Sequence, residues 1–549
     1  MKRTIKRTLV IGSIAIVGGL GIAAGDNYFE ISKNIEVFTE VYKELNIYYV
    51  DEVNPGEIMK TGIDAMLTSL DPYTDYIPES DIEEYRFQTT GQYGGIGALI
   101  KTQGEKVLVS EPYETFPAAN AGFRAGDEII SVDGRKVSGM DTEGASKLLK
   151  GQAGTQVKIV TRRAGVETEH SLTRMEIKIP DVPYKGFVDE ANKVGYVKLN
   201  GFTATAGLDV RNAMKELKEQ GMQKMVLDLR GNGGGLLREA VNIVNLFVPK
   251  GEKVVETKGK IAEWDKSYST LSDALDATVP LVVIVDEGSA SASEIVAGAL
   301  QDLDRAVILG DRTYGKGLVQ QTRDIVYNNK VKVTVAKYYI PSGRCIQKID
   351  YAHRDSSGRA INVADSAIKA FKTKNGRPVF DGRGIAPDVA MDEPEMAKVV
   401  GGLASKDLFF EYANKYRAEH DTIPAPEQFI ITDAIYNDFL AFVKNKDFSY
   451  ETESNDALDE LVEAAKRERY YEHSEKAIEA LKAELKPNKE EELRRFRDDV
   501  AEVLRGEIVS RYGLQTARYR AALAGDPYLK RALEVLNTGG TTDILSGKK

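Results

Sequence analysis

The sequence predicts a multidomain α/β protein flanked by helical segments, on three observations. At 549 residues the chain is too long for one ordinary core, so two to four domains are expected. Between Lys193 and about Val389, short apolar runs alternate with helical stretches, the pattern of β-α-β units. Beyond residue 392 the chain turns strongly helical and charged. With 42% hydrophobic and 29% charged residues, the composition is that of a globular protein. The net charge of −10 argues against a surface that tracks phosphates, so no nucleic-acid partner is expected. The single cysteine, Cys345, excludes an internal disulfide framework. The four scattered histidines (His170, His353, His420, His473) show no zinc-ligand spacing, and neither metal nor cofactor is expected.

Lys2, Arg3, Lys6 and Arg7 precede an uncharged stretch, Thr8 to Gly25, as in the charged and apolar regions of a secretory signal. Ala23 and Gly25 are small residues suited to a cleavage point, but the stretch is also long enough to stay as a marginal membrane anchor. Residues 1–25 therefore predict export, as a cleaved signal peptide or an N-terminal anchor. Residues 26–85 read as a helical region. Ile31, Ile35, Phe38, Val41 and Leu45 recur at helical spacing, and a second helix begins with Asn54 as cap, Pro55 in the first turn and Glu57 completing a capping box. Such a pair serves core packing or a subunit contact, so a homo-oligomer is one option.

Residues 86–178 change to short strands with glycine turns. In "YGGIGALI" a glycine loop (Gly94, Gly95, Ile96, Gly97) runs into an apolar strand, leaving backbone N–H groups free to receive an anion at a groove edge. Residues 179–391 carry the apolar runs "VGYVKLN", "KMVLDLR", "LVVIVDE" and "AVILGD", with helices expected over 205–219, 236–248 and 293–303. A hairpin is expected to turn at Asn328 and Asn329, and 350–380 reads as an insertion loop. Residues 392–549 read as a helical appendage without an assigned role, its charge runs forming solvated faces.

Three segments in the alternating region carry chemistry. "LVVIVDEGSASASEIVAGALQD" is strand, tight turn and helix, and places a serine at a helix amino terminus, where unpaired N–H groups favour developing negative charge. A serine here also serves as a plain helix cap, so the motif alone is only moderately specific. No histidine lies within fifty residues to act as its base. "LGDRTYGKGLVQQ" offers Lys316 between glycines. A lysine acts as general base only when neutral, so burial must lower its pKa from about 10.4. The third segment, "DLRGNGGGLL", follows a strand with glycines, whose N–H groups stand unobstructed; it lacks the GK[ST] or GxGxxG of a nucleotide loop.

The stretch that includes "AGFRAGDEIISVDGRKV" resembles a PDZ domain, and the motifs in order resemble the carboxyl-terminal processing protease family. The likeness covers roughly residues 30 to 390 and implies a crotonase-like α/β protease core with an inserted PDZ domain, helical at both ends. It implies a Ser-Lys dyad spaced by 25 positions, which from Lys316 selects Ser291 over Ser289 and Ser293. Gln320 would orient the amine. The amides of Ala292 and of Gly234 or Gly235 would hold the oxyanion, and Gly94, Gly95, Ile96 and Gly97 would take a peptide carboxylate. Lys150 stands where relatives commonly carry an arginine that couples the PDZ domain to the active site. Lysine lacks the bidentate fork, so this regulatory coupling is expected to differ. The expected protein is an exported serine endopeptidase of the bacterial envelope (periplasmic, secreted or anchored in the inner membrane) acting on protein substrates with exposed carboxyl termini. The alternatives are an inactive PDZ scaffold and acyl-thioester chemistry on the same core. Intact Ser291, Lys316 and Gln320 count against the first, and the PDZ domain against the second.

Overall fold

Leu281–Val285, apolar at all five positions, lies in the middle of a six-stranded sheet. The strand order is Tyr184–Asp189, Val194–Lys198, Lys224–Asp228, Leu281–Val285, Val307–Gly310, Val389–Ala390. The first pair is antiparallel and the rest are parallel, with Val226 opposite Val282 and Ile284 opposite Leu309. Parallel neighbours need crossover helices, here Ala206–Glu219, Leu237–Val244 and Ala292–Asp302. All three pack with Met225, Leu227, Leu281, Val283 and Ile308 in one core. The opposite face, with Val226, Val282, Ile284, Val307 and Leu309, is covered by Tyr528, Leu529, Ala532, Val535 and Leu536 of the helix Pro527–Asn537. A sheet buried on both faces explains why its strands read as unbroken apolar runs.

The computed structural model describes residues 28–391, 396–450, 452–485 and 488–547. The basic cluster and the uncharged stretch to Gly25 lie outside them, and no helix among the described residues is long and apolar enough to cross a membrane. The described residues divide into two compact units, one holding those up to Glu79 together with Gln320–Thr334, the other those of Ser80–Val319 together with Val335 onwards.

In the first unit, Asn54 caps Pro55–Thr68 as expected, its Oδ1 accepting from Gly56 N at 3.0 Å and Glu57 N at 3.4 Å. The strand Asp75–Ile77, in a region expected to be helical, pairs antiparallel with Lys330–Lys332. The hairpin turns one residue earlier than expected. Tyr327 and Asn328, not Asn328 and Asn329, hold the positive φ values (56° and 57°) that a two-residue turn needs. Ile31, Ile35, Phe38, Val41 and Leu45 lie on one helix over 28–48, yet all are exposed. Two helices and three short strands do not bury these side chains, so they do not form a core within the unit.

In the second unit, the PDZ-like sheet runs Ala98–Gln103, Lys106–Pro112, Glu128–Val132, Gln156–Arg163, Val166–Thr173, around a core that includes Ile96, Val109, Ile129 and Val157. Its entry and exit pair as a two-stranded neck, Gln92–Gly95 with Met175–Lys178. Residues 350–380 are not a plain loop. They form two ribbons, Ile349–Arg354 with Ala360–Asn362 and Ala370–Lys372 with Pro378–Phe380. The helices after residue 396 have their own core, which includes Leu403, Tyr412, Phe439, Leu504 and Ile508.

Candidate active site

Of the three serines in "GSASASE", two are tied down. Ser289 is fully buried and its Oγ donates to Leu229 O at 2.9 Å; Ser293 is fully buried and its Oγ donates to Asn232 O at 2.8 Å. Ser291 alone retains partial exposure. It sits at the N-cap of Ala292–Asp302 with φ 55° and ψ −109°. This is a conformation L-residues rarely adopt, and strain of this kind persists where surrounding bonds over-determine it. The first N–H of the helix, that of Ala292, follows directly.

Those surrounding bonds converge on Glu294, one turn into the helix and fully buried. Its Oε2 accepts from the backbone N–H of both Ser291 (2.8 Å) and Lys316 (2.9 Å), and its Oε1 from Thr313 Oγ1 (2.6 Å) and Gly315 N (2.7 Å). Burial pushes its pKa up against the pull of these donors. One carboxylate therefore fixes the backbone of the serine and the lysine 25 positions apart. The sequence reading assigned Glu294 no role; the only signal was its place at the third position of a capping box. Tyr338, also fully buried, adds a second hold by donating its hydroxyl to Ser291 O at 3.2 Å.

The glycines around Lys316 are not a surface turn. A Cβ on Gly315 (φ 90°) would lie 2.5 Å from Lys348 Cβ, and one on Gly317 would lie 2.8 Å from Gln347 N. Gly317 N donates to Gln347 Oε1 (2.7 Å), and Lys348 N donates to Gly315 O (2.9 Å). The half-buried Lys316 is thus held between two close backbone approaches.

The glycine loop after Lys224–Asp228 packs on the serine. A Cβ on Gly234 would meet Ala290 O at 2.7 Å and both Ser291 Cβ and Ala292 N at 2.9 Å. Asn232 fastens the loop: its Nδ2 donates to Leu199 O, its carbonyl accepts from Ala290 N and its Oδ1 accepts from Gly234 N at 2.9 Å. The Gly234 N–H is therefore engaged. Gly235 bridges Phe202 in parallel, through bonds made by Gly234 O and Leu236 N, which turns its own N–H away from that strand. Ser291, Ala292, Gly234, Gly235 and Lys316 are thus assembled in one unit. Gln320 belongs to the other, where its Nε2 donates to Thr334 Oγ1 at 3.0 Å.

Gly94 and Gly95 lie on the neck strand, and a Cβ on Gly94 would strike Gly151 O at 2.1 Å. Ile96 is buried in the PDZ-like core and Gly97 has φ 74°. The loop leads into Ala98–Gln103, an edge strand of its sheet, with the helix Thr142–Leu149 alongside, Thr102 Oγ1 and Thr142 Oγ1 being 3.4 Å apart. An edge strand beside a helix is a surface to which an extended peptide can add. Lys150 caps that helix, its ammonium 3.8 Å from a Glu84 carboxylate oxygen and 5.5 Å from the Tyr93 ring centroid.

Three family models match the chain: Peptidase family S41 over residues 193–353, PDZ domain over 108–163, and "Probable PDZ-protease, C-terminal helical domain" over 399–536. The "Probable CtpA-like serine protease" of Staphylococcus aureus (strain MRSA252) is 32% identical over 366 residues, which span 66% of each chain. The "Carboxy-terminal-processing protease" of Bartonella bacilliformis is 35% identical over 327 residues, 58% of this chain and 73% of its own. Among solved structures, the "Photosystem II D1 C-terminal processing protease" is 30% identical, covering 66% of this chain and 93% of its own at a TM-score of 0.35.

Proposed function

Because the chain belongs to the carboxy-terminal processing family of serine proteases, we propose that it is an exported endopeptidase that cleaves protein substrates presented by their carboxyl-terminal tails. The observation that carries the reading is Glu294, whose single Oε2 holds the backbone of Ser291 and Lys316 together while the neighbouring serines are engaged elsewhere. Ser291 Oγ attacks the scissile carbonyl carbon. Lys316, as the neutral amine, takes the hydroxyl proton and later returns it to the departing amine nitrogen. Water then attacks the acyl-serine ester, losing its proton to the same lysine, which passes it to the departing Ser291 Oγ as the new carboxyl terminus is released. Ala292 N–H and Gly235 N–H are the oxyanion donors, with Gly234 serving close packing. The resemblance assigns Gln320 to orienting the lysine. Carboxylate capture is assigned to the Gly94–Gly97 loop, and export rests on the basic and uncharged stretch up to Gly25.

Ser291→Ala and Lys316→Ala should each abolish hydrolysis of a carboxyl-terminal peptide substrate with the fold intact. Because the two act as one unit, the double variant should be little worse than either single. Turnover surviving in Ser291→Ala but lost in Ser289→Ala or Ser293→Ala would refute the assignment. Hydrolysis of acyl-thioesters but of no peptide would favour the thioester chemistry that similar cores support.

A further inference from the structure

We propose that the C-terminal segment Gly513–Tyr528 is the mechanical coupler between the PDZ carboxylate loop and the catalytic loops, an inference that rests on the tail-recognising peptidase reading above. One end of the segment holds the PDZ domain. Gln515 Nε2 donates to Pro112 O at 3.2 Å, Thr516 N and Oγ1 donate to the two oxygens of Glu114 at 2.9 and 3.0 Å, and Arg518 pairs with Glu111 at 3.2 Å. The stretch they grip also builds the carboxylate loop. Tyr113 N donates to Gly97 O and Ala118 N to Ile96 O, both at 2.9 Å, and Gly97 approaches Phe116 so closely that a Cβ would lie 2.4 Å away. A carboxylate that shifts Ile96 and Gly97 pulls on Tyr113, the residue next to the Glu114 that Thr516 holds.

The other end holds the catalytic loops. Asp526 pairs with Arg230, the residue directly before the Gly231–Gly235 loop, while capping Pro527–Asn537 through Tyr528 N and Leu529 N. Tyr528 donates its hydroxyl to Asp311 at 2.6 Å, two residues before the Thr313 that binds Glu294, and its ring lies 5.1 Å from the Arg230 guanidinium. One side chain pair thus touches the approach to the oxyanion loop and the approach to the lysine.

Between the two ends, residues 515–525 form a helical rod of roughly 16 Å. It is broken from the preceding helix at Gly513 and Leu514, where Leu514 has φ 49° and ψ −143°. The non-helical pair turns the rod back along the helix before it, where Ala517 and Ala521 are buried in the same core as Leu504 and Ile508, so the rod links the PDZ contact and the catalytic-loop contact to one packed body. The PDZ contact is polar rather than a continuous apolar core, and beside it lies a cavity of about 340 Å³ lined by Glu111, Gly126, Asn414 and Arg511. Polar contacts of this kind are the ones that reposition.

The test uses full-length Ser291→Ala protein and a seven-residue peptide with an apolar last residue and a free carboxyl, with its amidated twin as control. Free-acid peptide should bind and change amide exchange in residues 230–236 and 311–317. Thr516→Ala and Glu114→Gln should still bind it but lose that response. Asp526→Asn, which keeps the cap but discharges the Arg230 contact, should lose it too. On the Ser291 background, a free-acid preference in kcat/KM of about tenfold should fall below about twofold in all three. Peptide binding with no response of the catalytic loops in the parent, or a response that persists in the variants, overturns the coupler and leaves the peptidase reading standing. Failure of the parent to bind free-acid peptide overturns carboxylate capture, and the coupler with it.

Discussion

Glu294 shows what one buried side chain does for a cluster assembled from different segments of the chain. It accepts four hydrogen bonds from residues at positions 291, 313, 315 and 316. In Glu294→Gln one oxygen becomes an NH₂ group facing backbone N–H donors, so either the bond from Gly315 or both bonds from Ser291 and Lys316 are lost. Because that misplaces the backbone of Ser291 or Lys316, kcat should fall about a hundredfold while KM changes little. The same residue predicts a pH effect on stability. Its proton is held more tightly in the folded protein than unfolded, so stability falls as pH rises from its ordinary 4.5 through the higher folded value. Urea midpoints across pH 4 to 8 should show that fall in the parent and not in Glu294→Gln, which does not titrate there. The pairing of Ser291 with Lys316 came from the family resemblance; this carboxylate came from neither resemblance nor motif, because its partners become neighbours only once strand, helix and loop are packed.

At the scale of elements, the helix Pro527–Asn537 departs furthest from what its sequence suggests. It follows a run of charged helices expected to be solvated, yet its apolar side chains close the second face of the protease sheet. Leu529, 4% exposed, should cost about 2–5 kcal/mol when cut to alanine, measured by reversible urea denaturation. A surface-helix leucine would cost far less, so a loss under about 1 kcal/mol would remove the helix from the core. The strands themselves were readable from their apolar runs, and the unbroken runs required cover on both faces. What covers each face is settled by packing across the sheet, beyond any periodicity. The hairpin at Tyr327 and Asn328 slipped by one residue for a related reason: two adjacent asparagines both tolerate positive φ, and strand pairing chose the register.

At the scale of the whole molecule, the PDZ domain is inserted through a paired neck, with Gly95 opposite Met175. That geometry allows its removal by joining those strands with a short turn. If the empty domain holds the site inactive, the deletion should raise cleavage of a short unstructured peptide about fivefold or more, and tail-dependent stimulation should vanish. Unchanged basal cleavage with weaker capture of tailed substrates would make the domain a tether instead. Lys150, marked for coupling by its place in the resemblance, touches Glu84 and Tyr93, whereas the contacts that reach Arg230 and Asp311 come from the C-terminal helices.

By itself the sequence determined what depends on near neighbours: the β-α-β order, the glycine-rich turns, the serine at a helix amino terminus and the lysine between glycines. These are legible because helix caps, strand periodicity and tight turns are set within a few residues. Only the tertiary structure decided which serine hydroxyls were already engaged, that Glu294 binds the backbone of both Ser291 and Lys316, and that the C-terminal helices complete the core and grip the PDZ domain. Those outcomes rest on pairs such as Arg230 and Asp526, 296 positions apart, and Thr516 and Glu114, 402 apart. Burial selects such pairs for mutual charge and hydrogen-bond satisfaction, a condition that exists only after the chain has closed on itself.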